Sequence, residues 1–251
     1  MIDVYYPYFE TEAIWDEFRY SLRSIEKHFK FEFRVVIVGN LPRWIDSTSI
    51  LHIPHDRVEG IQENTLYDAI TKQLLFNAHQ DTSLHFVRMY DDIYILRDVD
   101  LITVAQFKAM YPFKEVPERN GTWWSQLYHT LDVLIAKGYP GWNTETHLPE
   151  LFNKEKMQWI ITAYSALEKR LLTSSLYFNT FFPNAQPLLF SKDFAIQFYD
   201  NTDGPFYDSS EGDLIEKCKG KTYLNHNNAG LTDNLKNFLK TTFPHKSRFE
   251  L

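Results

Sequence analysis

Residues 34–38, Arg-Val-Val-Ile-Val, run without a polar alternate and stop at Gly39-Asn40. A strand with one face in water alternates apolar and polar residues, so a continuous β-branched run predicts a strand buried on both faces, as in a parallel sheet covered by helices. The flanking segments supply the covering. Between Glu10 and Phe29 the residues Ile14, Phe18, Leu22, Ile25 and Phe29 fall at steps of four and three, which predicts one amphipathic helix. Ile2–Tyr6 reads as a strand before it, ended by Pro7, and Ile50–Ile53 as a short strand after it, ended by Pro54. Leu66, Ile70, Leu74 and Ala78 then mark a helix over 64–79, and Leu84–Met89 a further strand. Strand and helix alternating in this way predict an α/β sheet.

The second half reads as more helical. Trp124, Leu127, Leu131 and Leu134 stripe a helix ending at Gly138, and Met157, Ile160, Ile161, Tyr164, Leu167 and Leu171 stripe one that begins near Asn153. Thr222–Asn225 reads as a returning strand and Leu231–Phe243 as a last helix stopped by Pro244. The expected organisation is one domain over 1–251, with an α/β half at 1–112 and a mostly helical half at 113–251.

Composition narrows the function classes. The chain has 251 residues with 26 Lys+Arg against 33 Asp+Glu, a net charge of −7 that argues against a protein built mainly to grip phosphate backbones. No apolar run reaches the roughly 18 residues of a membrane span. The N-terminus lacks the basic and apolar regions of a signal peptide, and the lone Cys218 cannot form an internal disulfide, so the cytoplasm is the expected compartment. Aromatic residues make up 16% of the chain, more than a core of this size needs, so some rings are expected at a groove or partner surface. Walker A, Gly-x-Ser-x-Gly, His-Glu-x-x-His and paired Cys-x-x-Cys motifs are absent.

Tyr90-Asp91-Asp92 follows the Leu84–Met89 strand directly, and ligands in open α/β sheets collect at the carboxyl ends of strands. Two adjacent carboxylates raise each other's pKa unless a cation lies between them, and Mg²⁺ or Mn²⁺ with a substrate diphosphate would supply one. An exposed acidic turn is the plainer reading. His147, in Glu-Thr-His-Leu-Pro, is a candidate base on an acceptor hydroxyl, although it is one of nine histidines. Arg170 either binds a phosphate through its planar fork or is a cation favoured by a helix C-terminus. Asn225–Gly230 reads as a turn and helix cap. Trp123-Trp124 is either part core and part surface or a platform for sugar rings.

The order of these pieces resembles a known family. Phe18-Arg19-Tyr20-Ser21-Leu22-Arg23-Ser24-Ile25, then Val35–Val38 and Leu41-Pro42-Arg43-Trp44, closely resemble the second conserved block of the Stealth-type sugar-phosphate transferases. Met89-Tyr90-Asp91-Asp92 matches the family's strand ending in Asn-Asp-Asp, His147-Leu148-Pro149 its His-x-Pro element, Lys169-Arg170-Leu171 its Arg-containing stretch, and Leu224-Asn225-His226 its closing block. The resemblance implies a Rossmann-like, GT-A-like nucleotide-sugar transferase fold with a helical second half. It also implies a nucleotide-diphosphate sugar as donor, a UDP-sugar foremost, and a Mn²⁺ or Mg²⁺ ion held by Asp91 and Asp92. His147, Asp92 and Arg170 would be catalytic, and Asp3, Arg23, Asp91, Arg170 and Asn225 would face the donor.

Three departures fall at the site. Tyr6-Pro7-Tyr8-Phe9 stands where the first block continues Thr-Trp-Val-Asp-Gly, Tyr90 replaces Asn, and Asn225-His226 replaces Asn-Asp. Drift from sugar-phosphate transfer to ordinary glycosyl transfer is therefore the leading expectation, with a glycan or cell-surface polymer as acceptor. Sugar-1-phosphate transfer is the alternative. Glycosylation of a modified DNA base, and nucleotide or glycan binding without turnover, stay open beyond it.

Overall fold

A computed structural model describes residues 1–57, 65–115, 118–198 and 211–251. In chain order its elements begin β1 (Ile2–Tyr8), α1 (Glu17–His28), β2 (Phe33–Gly39), β3 (Leu51–Pro54), α2 (Thr65–Ala78), β4 (His85–Arg88), β5 (Ile93–Ile95) and α3 (Leu101–Ala105). They continue β6 (Lys108–Ala109), β7 (Tyr111–Pro112), α4 (Thr122–Ala136), β8 (Trp142–Asn143), β9 (Glu150–Asn153), α5 (Lys154–Ala163), α6 (Ala166–Lys169) and α7 (Thr173–Phe181). The last are β10 (Leu188–Leu189), β11 (Ala195–Phe198), α8 (Glu211–Cys218), β12 (Tyr223–His226) and α9 (Asp233–Thr242).

The main sheet has the order β3-β2-β1-β4-β9. The first four strands are parallel, and β9 closes the edge antiparallel to β4. Alternate residues of β1 and β2 enter different cores: Val4, Tyr6, Val35 and Ile37 pack on the α1 side, whereas Tyr5, Val36 and Val38 join the core formed by α2 and helices of the second half. That division explains the unbroken apolar run at 35–38, because neither face of β2 meets water there. The second core is built from Phe76 of α2, Leu127, Leu131 and Leu134 of α4, Met157, Ile160 and Ile161 of α5, and Leu176 and Phe178 of α7. A smaller sheet, β11-β12-β5, pairs β5 antiparallel to β12 and β11 parallel to it.

Several boundaries differ from the sequence reading. The first helix starts at Glu17, because Glu10–Glu12 makes only a short 3-10 turn and the Glu17 carboxylate accepts the Ile14 N–H at 2.9 Å, fixing a loop ahead of it. Position 64, where the second helix was expected to begin, lies outside the described residues. The stripe from Met157 to Leu171 divides into α5 and α6, since Ser165 and Arg170 both take left-handed backbone. Asn153 does cap α5, its side chain accepting from Lys156 N at 3.0 Å. Helix α7 and strand β9 are additional: β9 is four residues long, and the apolar residues of α7 are buried all round, so it shows no amphipathic stripe. No helix among the described residues is long and apolar enough to cross a membrane.

Candidate active site at the carboxyl edge of the sheet

The parallel strands all point their carboxyl ends toward one edge, and the chain leaves β1 there at Phe9, β2 at Asn40, β3 at His55 and β4 at Tyr90-Asp91-Asp92. Gly39 lets β1 and β2 run together up to this edge. Its φ is +130°, and a Cβ at that position would lie 1.9 Å from the Tyr8 carbonyl oxygen.

The acid pair is fixed from below by α1. Ser21 Oγ donates to the Ile93 carbonyl at 2.7 Å, Tyr6 O–H lies 3.0 Å from the same Oγ, and Ile95 N–H donates to Ser24 Oγ at 3.0 Å. The turn holding Asp91 and Asp92 is thus tied between β4 and β5 by buried hydroxyls. Asp91 is pushed up to about 7 by burial, with the charges of Asp92 and Glu17 adding to it. Glu17 lies at the first turn of α1, its Oε2 buried without a hydrogen-bond partner. Asp92 moves the other way: burial opposes its charge, but His147 holds it below the usual carboxylate range.

His147 Nε2 lies 2.7 Å from Asp92 Oδ1, and the two side chains keep 32% and 23% of their surface, so the pair is part-buried and still open to solvent at the carboxyl edge. Burial opposes the imidazolium, yet Asp92 wins and raises the His147 pKa. A carboxylate accepts, so Nε2 carries the proton and the lone pair of the neutral ring is on Nδ1. The Tyr90 ring stacks on the imidazole at 5.0 Å and 8°. Beneath Tyr90, the Arg88 guanidinium lies 5.8 Å from the ring and donates to Glu150 at 3.0 Å and to Thr173 Oγ1 at 3.1 Å.

Strand β12 reaches the same place from the smaller sheet. Asn225 is fully buried; its Nδ2 donates to the His147 carbonyl at 2.6 Å, and its Oδ1 has no partner. His226 Nδ1 donates to the Asn227 carbonyl at 3.0 Å, so its Nε2 accepts from Tyr94 O–H at 2.9 Å, and burial lowers its pKa. Among the described residues no group of three or more His, Cys, Asp and Glu side chains is arranged to hold a metal ion. The oxygen donors do fit a hard divalent cation: Asp91 is short of positive charge, and the orphaned Asn225 Oδ1 is a buried acceptor without a donor.

A second charged group occupies the other end of the edge. Asp68 of α2, nearly fully buried, receives Lys72 Nζ at 2.7 Å, His55 Nε2 at 3.1 Å and Arg57 Nε at 3.4 Å. The Arg57 guanidinium also covers the Phe9 ring at 3.9 Å and meets Glu12 at 2.5 Å. Lys72 and the nearby cations hold Asp68 below its ordinary range in spite of burial, and burial lowers Lys72. Sequence reading passed over this cluster, because Asp68 and Lys72 at i and i+4 look like an ordinary exposed helix pair.

The expected site residues therefore separate. Asp91, Asp92, His147 and Asn225 come together. Asp3 does not join them: it is the second residue of β1, at the opposite end of the strand from Phe9, fully buried and bound by Arg34 at 2.9 Å and by Ser83 N–H at 2.6 Å. A strand's first residues lie a strand length from its carboxyl end, so the expected place of Asp3 at the donor end is not where the fold puts it. Arg23 is engaged elsewhere as well, donating to Glu250 at 2.7 and 2.8 Å and to the Phe243 carbonyl at 3.1 Å. Arg170 is exposed, in left-handed backbone at the end of α6, which packs on α2 and α5. No described ion pair or hydrogen bond links Arg170 to the acid pair. Trp123 and Trp124 meet edge to face at 4.8 Å on α4, with Trp123 exposed and Trp124 against the second core.

No protein-family model matches the chain, and no curated protein matches it in sequence. Solved structures do match. A crystal structure of the galactosyltransferase LgtC in complex with donor and acceptor sugar analogues gives a TM-score of 0.51 at 11% identity, over 96% of this chain and 95% of that one. An active-site mutant of LgtC gives a TM-score of 0.50 at 10% identity, over 98% of each chain. This likeness supports the broader part of the sequence resemblance and nothing specific to Stealth transferases. The chain has the mixed α/β fold of the GT-A glycosyltransferase LgtC.

Proposed function

We propose that the protein transfers a glycosyl group from a nucleotide-diphosphate sugar, a UDP-sugar foremost, to an acceptor hydroxyl on a glycan or polymer. One observation carries the reading: Asp91, a carboxylate short of positive charge, stands next to a part-exposed Asp92–His147 dyad at the carboxyl edge of an α/β sheet. The LgtC likeness supports it at the level of fold.

Asp91, Asp92 and Asn225 Oδ1 would hold a Mn²⁺ or Mg²⁺ ion, which when bound supplies Lewis-acid neutralisation of the departing diphosphate. The donor's nucleotide would lie along the edge toward Phe9, Arg57 and Lys72. His147 takes the acceptor proton on Nδ1 while Asp92 fixes its tautomer through Nε2 and stabilises the imidazolium. Because Asp92 raises the His147 pKa, the neutral, proton-accepting ring becomes dominant only above the ordinary histidine value near 6.5. Turnover accordingly rises with pH through the raised value. Arg170 as a phosphate ligand would need approach from outside the described contacts, and we assign it no step.

Incubation with a panel of nucleotide sugars and Mn²⁺, with and without chelator, tests the reading through the nucleotide released. Chelator-sensitive diphosphate release with an acceptor hydroxyl supports glycosyl transfer. Nucleoside monophosphate would instead establish sugar-1-phosphate transfer, the reading favoured by the Arg19–Ile25 and His147–Pro149 resemblance.

A further inference from the structure

His147 stands in left-handed backbone, φ +51°, a conformation disfavoured for a residue with a Cβ. Such a residue stays put only where its surroundings hold it. Two side-chain amides do so from one direction. Gln197 Nε2 donates to the Thr146 carbonyl at 3.0 Å, and Asn225 Nδ2 donates to the next carbonyl, that of His147, at 2.6 Å. Gln197 and Asn225 are direct partners in the parallel register of β11 and β12, so their side chains leave the same face of the smaller sheet. The order β11-β12-β5 puts Gln197 on the outer strand, and its extra methylene spans the added distance to the loop.

We infer that Gln197 is a positioning residue: with Asn225 it forms a two-amide clamp on the consecutive carbonyls of 146 and 147, and this clamp sets the His147 ring between Tyr90 and Asp92. The geometry is arranged for that purpose. Thr146 N–H closes a tight turn onto the Thr144 carbonyl at 2.8 Å, and Leu148 is buried immediately beyond. The backbone is therefore pinned before, at and after His147, and the ring meets Tyr90 on its face and Asp92 at its Nε2 edge. The catalytic consequence rests on His147 being the base proposed above; the clamp itself does not.

Gln197→Met keeps the length of the side chain and removes the donated hydrogen bond. In proton NMR at fixed pH, the His147 ring C–H signals, identified by their loss in His147→Gln, are displaced upfield in the parent by the stacked Tyr90 ring. Gln197→Met moves them toward free-histidine positions while the His226 signals stay. Gln197→Glu, ionised at pH 8 and unable to donate, gives the same displacement and serves if the Met variant is poorly folded. With UDP-galactose or UDP-glucose and Mn²⁺, kcat falls roughly 10- to 100-fold at unchanged donor KM. Unmoved His147 signals in both variants overturn the clamp. Moved signals with unchanged turnover uphold the clamp and overturn His147 as the base.

Discussion

The two ends of the sheet's carboxyl edge carry opposite electrostatics. Around Asp68, one buried carboxylate is met by Lys72, Arg57 and His55, and its pKa is lowered. Around Asp91, burial and the charges of Asp92 and Glu17 outweigh the opposing pull of His147, and its pKa climbs to about 7. The first end is complete with protein charges alone. The second would reach balance with the proposed cation, His147 holding one oxygen of Asp92. Burial is comparable in kind at both; the partners decide the sign.

The strongest way to break this contrast is Asp92→Ala, which removes the carboxylate that holds His147 and would hold the proposed cation. Chelator-sensitive release of nucleotide from a UDP-sugar falls about 1000-fold, with far-UV circular dichroism unchanged. At the balanced end, Lys72→Met leaves Asp68 buried with fewer partners. Urea unfolding reports a loss of about 3 kcal/mol, the scale for breaking a buried ion pair.

Asp91→Asn sharpens the comparison through pH. The folded pKa of Asp91 is raised, so the folded state binds its proton more tightly than the unfolded chain, and ionisation costs the metal-free protein stability. The sign follows: the Asn variant gains on the parent as pH rises from about 4 to 7, and the gain is level above that. Thermal unfolding of both proteins from pH 4 to 9 reads it. In the parent, Mn²⁺ must displace that proton below pH 7, weakening its apparent affinity about tenfold per pH unit, as titration calorimetry measures. The smallest effect on turnover is expected from Asp3→Asn, which weakens the Arg34 pair by about 1 kcal/mol in stability and leaves donor KM unchanged.

How much was legible in the sequence follows from the range of each interaction. Strands β1 to β4 and helices α1, α2, α4, α5 and α9 were visible through periodicity, because burial of a face writes a period into the residues that make it. β9 and α7 were not, since a four-residue strand and a helix buried all round carry no period. Asp91 and Asp92 were singled out by their place after a strand and His147 by its loop, and the fold brings the three together. Gln197 and the Asp68 cluster gave no sign, and Tyr90 showed only as a departure from the family pattern, because their partners are distant in sequence: Thr146 lies 51 residues from Gln197, His147 57 from Tyr90, and His55 13 from Asp68.

Residue order by itself determined that β2 is covered on both faces, that the chain alternates strand and helix, and that an acid pair follows β4. Only the tertiary structure decided which charges meet. It put Asp3 and Arg23 into ion pairs with Arg34 and Glu250, and it brought β12 across to the His147 loop. Periodicity is a local consequence of burial and survives in one dimension. A pKa depends on which groups lie within a few ångströms, and that proximity exists only after the chain has folded.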